Sequence, residues 1–84
     1  MTEYHKAILH VIQRYQYTLL IDDEKIQAFM VEIAAGCTSN MPICKLNRWL
    51  GYVQGVLIER GVLTVEGERD ATRPLFRPLD FPEK

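Results

Sequence analysis

Cysteine is scarce in this chain: Cys37 and Cys44 are the only two among 84 residues. Two thiols do not make the framework of a disulfide-stapled extracellular domain, so the sequence predicts reduced thiols and a cytoplasmic protein. Long apolar runs are missing too. None exceeds four residues, which predicts neither a secretory leader nor a membrane span. Charge of one sign is also lacking. Ten basic against eleven acidic side chains leave a net charge of −1, which argues against phosphate contacts as the main source of affinity. Residues 1–42 carry a net −2 and residues 43–84 a net +1, an asymmetry too small to mark a basic half. Internal repeats and low-complexity segments are absent.

What is there is an ordinary globular composition, 48% apolar and 25% charged, in a chain the size of one small domain. At this size a hydrophobic core is marginal without staples or a partner, so a homodimer is one expected outcome.

The residues Tyr4, Ala7, Ile8, Val11, Ile12 and Tyr15 share one helical face, with Thr2 placed to cap it. Residues 16–21, QYTLLI, are rich in β-branched and aromatic types and read as a connector. Asp22 then reads as an N-cap followed by Asp23 and Glu24 in a first turn that favours negative charge, with Ile21 and Ile26 as a hydrophobic staple. Ile26, Phe29, Met30, Ile33 and Ala34 continue at helical period to Gly36, a natural stop. After the loop CTSNMP, Ser39 or Asn40 is placed to cap a third helix with Pro42 in its first turn.

That third helix, Ile43 to Gly61, reads as the centre of the fold. Ile43, Leu46, Leu50, Val53 and Leu57 form a 3-4-3-4 seam, and Trp49, Tyr52 and Val56 form a second apolar stripe beside it. Gly51 and Gly55 sit four apart on one face at about 1 kcal/mol each in helix propensity, which suggests a notch that admits another helix. Gly61 ends the helix in the left-handed conformation with Val62 as its apolar contact. For residues 62–77 two readings stand: a short helix capped by Thr64 and stopped by Pro74, which is preferred, or a hairpin of VLTVE and PLFRP. Residues 77–84 read as an extended tail, with Phe76, Leu79 and Phe81 as latches. The expected fold is all-α: three main helices around a central third, plus a short C-terminal helix or hairpin, in a single domain.

No catalytic, cofactor or metal constellation emerges. His5 and His10 lie five apart and Cys37 and Cys44 seven, which are not metal-ligand spacings, and the histidines read as surface groups. Neither cysteine has a positioned base. Glu66, Glu68, Arg69, Asp70 and Arg73 fit a solvated face with opposite charges at i, i+3, although one of them is placed to be a buried polar anchor. Trp49 and Tyr52, flanked by Asn47, Arg48 and Gln54, have the composition of an interaction hot spot, against the alternative that Trp49 fills the core. A winged-helix DNA-binding regulator is the second reading, with GERDATR as the wing. It is disfavoured because Gly51 and Gly55 offer nothing to base edges and the acidic second helix repels phosphate.

The run RWLGYVQGVL with the later ERDATRPLF resembles a group of small proteins encoded by tailed phages and prophages. The resemblance covers residues 47–76 and brings no assigned activity. It implies a phage- or prophage-encoded accessory protein that binds and redirects a host protein or defence complex. The sequence therefore predicts a non-enzymatic protein-interaction module with no cofactor. Its candidate interface is Arg48, Trp49, Gly51, Tyr52, Gly55, Arg69 and Arg73, and its partner is either itself or a host protein, with nucleic acid the weaker alternative.

Overall fold

The computed structural model describes residues 1–81, which form four helices. They are α1 (Glu3–Thr18), α2 (Glu24–Thr38), α3 (Ile43–Glu59) and α4 (Val65–Asp80). Among the described residues there is no strand, so the fold is all-α. No helix among them is long and apolar enough to cross a membrane.

The hub of the packing is α1, which touches each of the other three helices; it displaces α3 from the central place its sequence suggested. The reason lies in its face. His5, Ala7, Ile8, Val11, Ile12 and Tyr15 are all buried, a stripe wide enough to meet neighbours on several sides. From α2 the core takes Ile26, Met30, Ile33 and Cys37, and from α3 it takes Leu46, Leu50, Val53 and Leu57, four of the five seam residues. Ile43, the fifth, is partly buried.

Several boundaries differ from the sequence reading, each for a local reason. Helix α1 is capped by Thr2 as expected, but it runs on through Thr18, shortening the connector to five residues, 19–23. Asp23, not Asp22, caps α2, because its carboxylate accepts the Lys25 and Ile26 N–H groups at 2.9 and 3.1 Å. Ile21 is thereby moved one residue further from the cap than a staple requires.

Gly36 does not stop α2. It is buried inside the helix, where an added Cβ would lie 2.5 Å from Met41 Sδ and 2.9 Å from Leu46 Cδ2. The left-handed residue is Asn40 (φ 59°). The Met41 N–H donates to the Gly36 carbonyl at 3.0 Å and the Asn40 N–H to the Cys37 carbonyl at 3.5 Å, the paired bonds of a Schellman ending. Ser39 and Asn40 thus close α2 rather than open α3, whose N-cap is Pro42 with no side-chain cap bond. At the other end of α3, Gly61 is left-handed (φ 75°). Val62 N–H donates to the Leu57 carbonyl at 2.9 Å, so the left-handed ending is the expected one, although Val62 itself is exposed rather than packed as its apolar contact.

The largest correction is α4. Thr64 caps it, its hydroxyl accepting the Gly67 N–H at 3.0 Å, but the helix passes through Pro74 and Pro78 to Asp80. The hairpin reading fails, and so does the extended tail over residues 77–80; the tail residues 82–84 lie outside the described residues. Each proline keeps a helical φ, but it removes the donor that would serve the carbonyl four residues back, at Asp70 and Pro74, and its ring crowds that carbonyl. Both residues are exposed, so water can take those carbonyls. A winged helix has no wing on this backbone.

Candidate interaction faces

Helix α3 turns its seam inward and leaves the opposite side bare. Cys44, Arg48, Gly51, Tyr52, Gly55 and Glu59 are all exposed, and a Cβ added at Gly51 or Gly55 would meet nothing within 4 Å. The glycine notch therefore receives no helix among the described residues. Tyr52 is 60% exposed, yet it is not free to wander. Its ring stands edge-on to Phe29 of α2, with centroids 5.8 Å apart at 79°.

Trp49 is half-buried against the same Phe29, with centroids 5.2 Å apart, and Lys45 Nζ sits 5.1 Å from its ring centre. It serves core and surface at once, sealing α3 to α2 while its outer face carries a cation. Arg48 and Glu59 have no ion-pair partner among the described residues, where the pairs are Lys6–Glu3, Arg14–Glu68 and Arg60–Asp23.

Arg69 and Arg73 fall elsewhere. With Arg77 they form a row at i, i+4, i+8 on α4. Together with Pro74, Pro78 and Phe81, Arg73 and Arg77 line a shallow hollow of about 530 Å³. The residues lining the hollows beside Arg69 and Arg73 belong to α4 and to Phe81, which caps its end. The seven candidate residues therefore divide into an α3 face and an α4 ridge.

Two polar sites go beyond the sequence reading, which left a buried anchor unassigned among Glu66, Glu68, Arg69, Asp70 and Arg73 and put His5 on the surface. The first is the anchor of α4. Glu68 is the one buried side chain of that helix, and it receives the Tyr15 hydroxyl on Oε2 and the Arg14 guanidinium on Oε1 at 2.5 Å. Gln54 Nε2 donates to the Tyr15 oxygen at 3.2 Å, so the network ties α1, α3 and α4. Burial, then the hydrogen bond to the Glu68 carboxylate, pushes the Tyr15 phenol well above its usual range. The signal was present in the spacing: Glu68, Thr72, Leu75, Phe76 and Leu79 make the inward stripe of α4, with a carboxylate at its head. Phe76 packs against the core as the expected latch, whereas Leu79 is only half-buried and Phe81 is 76% exposed.

The second is His5, which is buried (4% exposed) rather than on the surface. Its Nε2–H donates to the Met41 carbonyl at 2.7 Å, and Nδ1 accepts the Thr2 N–H at 3.2 Å. His5 continues the α1 stripe back from Ile8 by three residues, which is where periodicity places an inward group. His10 is exposed.

The thiols are free; Cys44 is exposed, and Cys37 is buried, its thiol pushed up by that burial. No group of three or more His, Cys, Asp or Glu converges as a metal site among the described residues. The Arg60 guanidinium 2.6 Å from Asp23 is the main cause that holds its carboxyl below the ordinary range, and this pair clips the end of α3 to the start of α2. Tyr4 donates to Asp80, and that bond raises its phenol.

No family model matches this chain, and no curated protein or solved structure does either.

Proposed function

We propose that this chain is a non-enzymatic interaction protein whose primary contact surface is the outer face of α3. The observation that carries the reading is the bare helix side itself. A preset, exposed Tyr52 stands beside two glycines whose missing side chains meet nothing, and Arg48 lies next to them with no ion partner among the described residues. Aromatic and arginine side chains dominate binding energy at protein interfaces, and a ring already held in place loses little entropy on docking. The glycines carry a propensity cost that no contact among the described residues recovers.

The polar groups that lie deepest support the same reading. Glu68, Tyr15, Arg14 and Gln54 satisfy one another, an arrangement that positions a helix. We further infer action in the cytoplasm, where Cys37 and Cys44 stay reduced. Phage or prophage provenance, with a host enzyme or defence complex as the target, rests on the resemblance of residues 47–76 alone.

The test is retention of a partner by immobilised protein, compared across faces. Native protein and a Gln13→Ala control on the exposed side of α1 should retain the same partner, which Arg48→Ala and Tyr52→Ala lose. Equal retention by all four proteins would remove α3 from the interface.

A further inference from the structure

Resting on the reading that the α3 face is the contact surface, we propose that its partner is a second copy of this chain. The two α3 helices cross antiparallel about a two-fold axis that passes midway between Val53 and Gln54. A two-fold interface must be self-complementary: whatever residue meets a second on the other copy must itself be met by that second residue. The exposed side of α3 satisfies this condition in two independent ways at one axis position.

The first is charge. Arg48 lies as far before that midpoint as Glu59 lies beyond it. Their separation of eleven residues is close to three whole turns at 3.6 per turn, so both side chains emerge on one face, about 16 Å apart along the axis. Both are exposed, and neither has an ion partner among the described residues. In the antiparallel pair each Arg48 stands opposite Glu59 of the second copy, giving two equivalent ion pairs. A parallel pair in register would instead oppose like charges.

The second is shape. About the same midpoint Tyr52 is the counterpart of Gly55. The ring that α3 leaves 60% exposed then falls on the position where the second copy has no side chain and nothing within 4 Å. Phe29 holds that ring edge-on at 5.8 Å, so it is oriented before the copies meet. Glycine at 55 also lets the backbones approach at the short end of the 8–10 Å range for packed helices. An axis moved by one residue in either direction loses both matches together.

A helix-on-helix contact of this length lies at the small end of specific interfaces, so the protein should exchange between monomer and dimer across about 1 µM to 1 mM. Sedimentation equilibrium over that range tests the idea with charge-reversed variants. Arg48→Glu places two acidic pairs in opposition and Glu59→Arg two basic pairs, so each variant alone should dimerise about tenfold or more weakly than the native chain. The equimolar mixture of these two variants should recover the native association, because every pair in the mixed dimer is again opposite in sign. The double variant Arg48→Glu/Glu59→Arg should recover it too. Recovery on mixing is possible only for folded chains, which separates lost contact from lost fold. A native chain that stays monomeric throughout, or single reversals that dimerise as well as the native chain, would overturn the proposal. A monomer that still retains a foreign partner through Tyr52 would overturn self-pairing while leaving the α3 interaction face in place.

Discussion

At the scale of single residues, this protein is held at its most specific points by polar groups. Glu68 is the clearest case, a carboxylate where α4 needs its deepest contact, neutralised by Arg14 and capped by the Tyr15 hydroxyl. Tyr15→Phe should cost about 1–2 kcal/mol at neutral pH, and Glu68→Ala about 1–3 kcal/mol, because the buried hydroxyl of Tyr15 then keeps only Gln54. Urea denaturation reads both. The phenol of Tyr15 is raised in the folded state, so its contribution is complete below the unfolded value of about 10 and falls as pH climbs through the folded value. The native chain should therefore lose stability in alkali more steeply than Tyr15→Phe. Asp23 carries the opposite sign. Arg60 and the α2 amides depress its carboxyl, so its stabilising effect is present above the unfolded value of about 4 and is lost as pH falls through the lower folded value. Asp23→Asn should unfold at lower urea than the native chain at pH 7, and the two midpoints should converge towards pH 2.

At the scale of elements, the glycines separate packing from availability. Gly36 is pressed by Met41 and Leu46, whereas Gly51 and Gly55 face open space. Gly36→Ala should destabilise by about 1–3 kcal/mol, since overpacking outweighs the propensity gain, while Gly51→Ala should stabilise by about 0.5–1 kcal/mol. Thermal melts of the two variants should move in opposite directions from native. The same distinction explains what periodicity left undecided. It put α1, α2 and α3 in place because their apolar spacing is unambiguous. It placed the end of α2 at Gly36 because glycine is the usual left-handed residue, but there it was needed for close approach, and Asn40 took the turn. In α4 the prolines pointed to a break at residue 74. Their missing donors face solvent on an exposed flank, which lowers the cost below that of a buried kink.

At the scale of the whole molecule, α1, α2 and α3 share one apolar core, to which α4 adds a single buried side chain, itself a charge. Hydrogen exchange should therefore show α4 opening in a cooperative step below the global unfolding free energy, with the amides around Ile8, Ile12 and Tyr15 the last to exchange. Uniform protection across all four helices would show that Glu68 and the half-buried Leu75 and Phe76 bind α4 as firmly as the core. Of the candidate interface, Arg48, Gly51, Tyr52 and Gly55 were legible as a set because helical spacing alone places them on one side of α3. Arg69 and Arg73 were legible as exposed, but not as belonging to a different helix face with Arg77. The sequence by itself determined the three main helices, the inward seam of α3, the Thr2 cap and the Gly61 ending, since each depends on residues within about a turn of one another. Only the tertiary structure decided that α1 is the hub, that Thr64 caps a helix rather than leading into a hairpin, that Glu68 and His5 are inside, and that no helix among the described residues fills the glycine notch. Those outcomes depend on which distant surfaces meet, and local spacing carries no information about the partner across a contact.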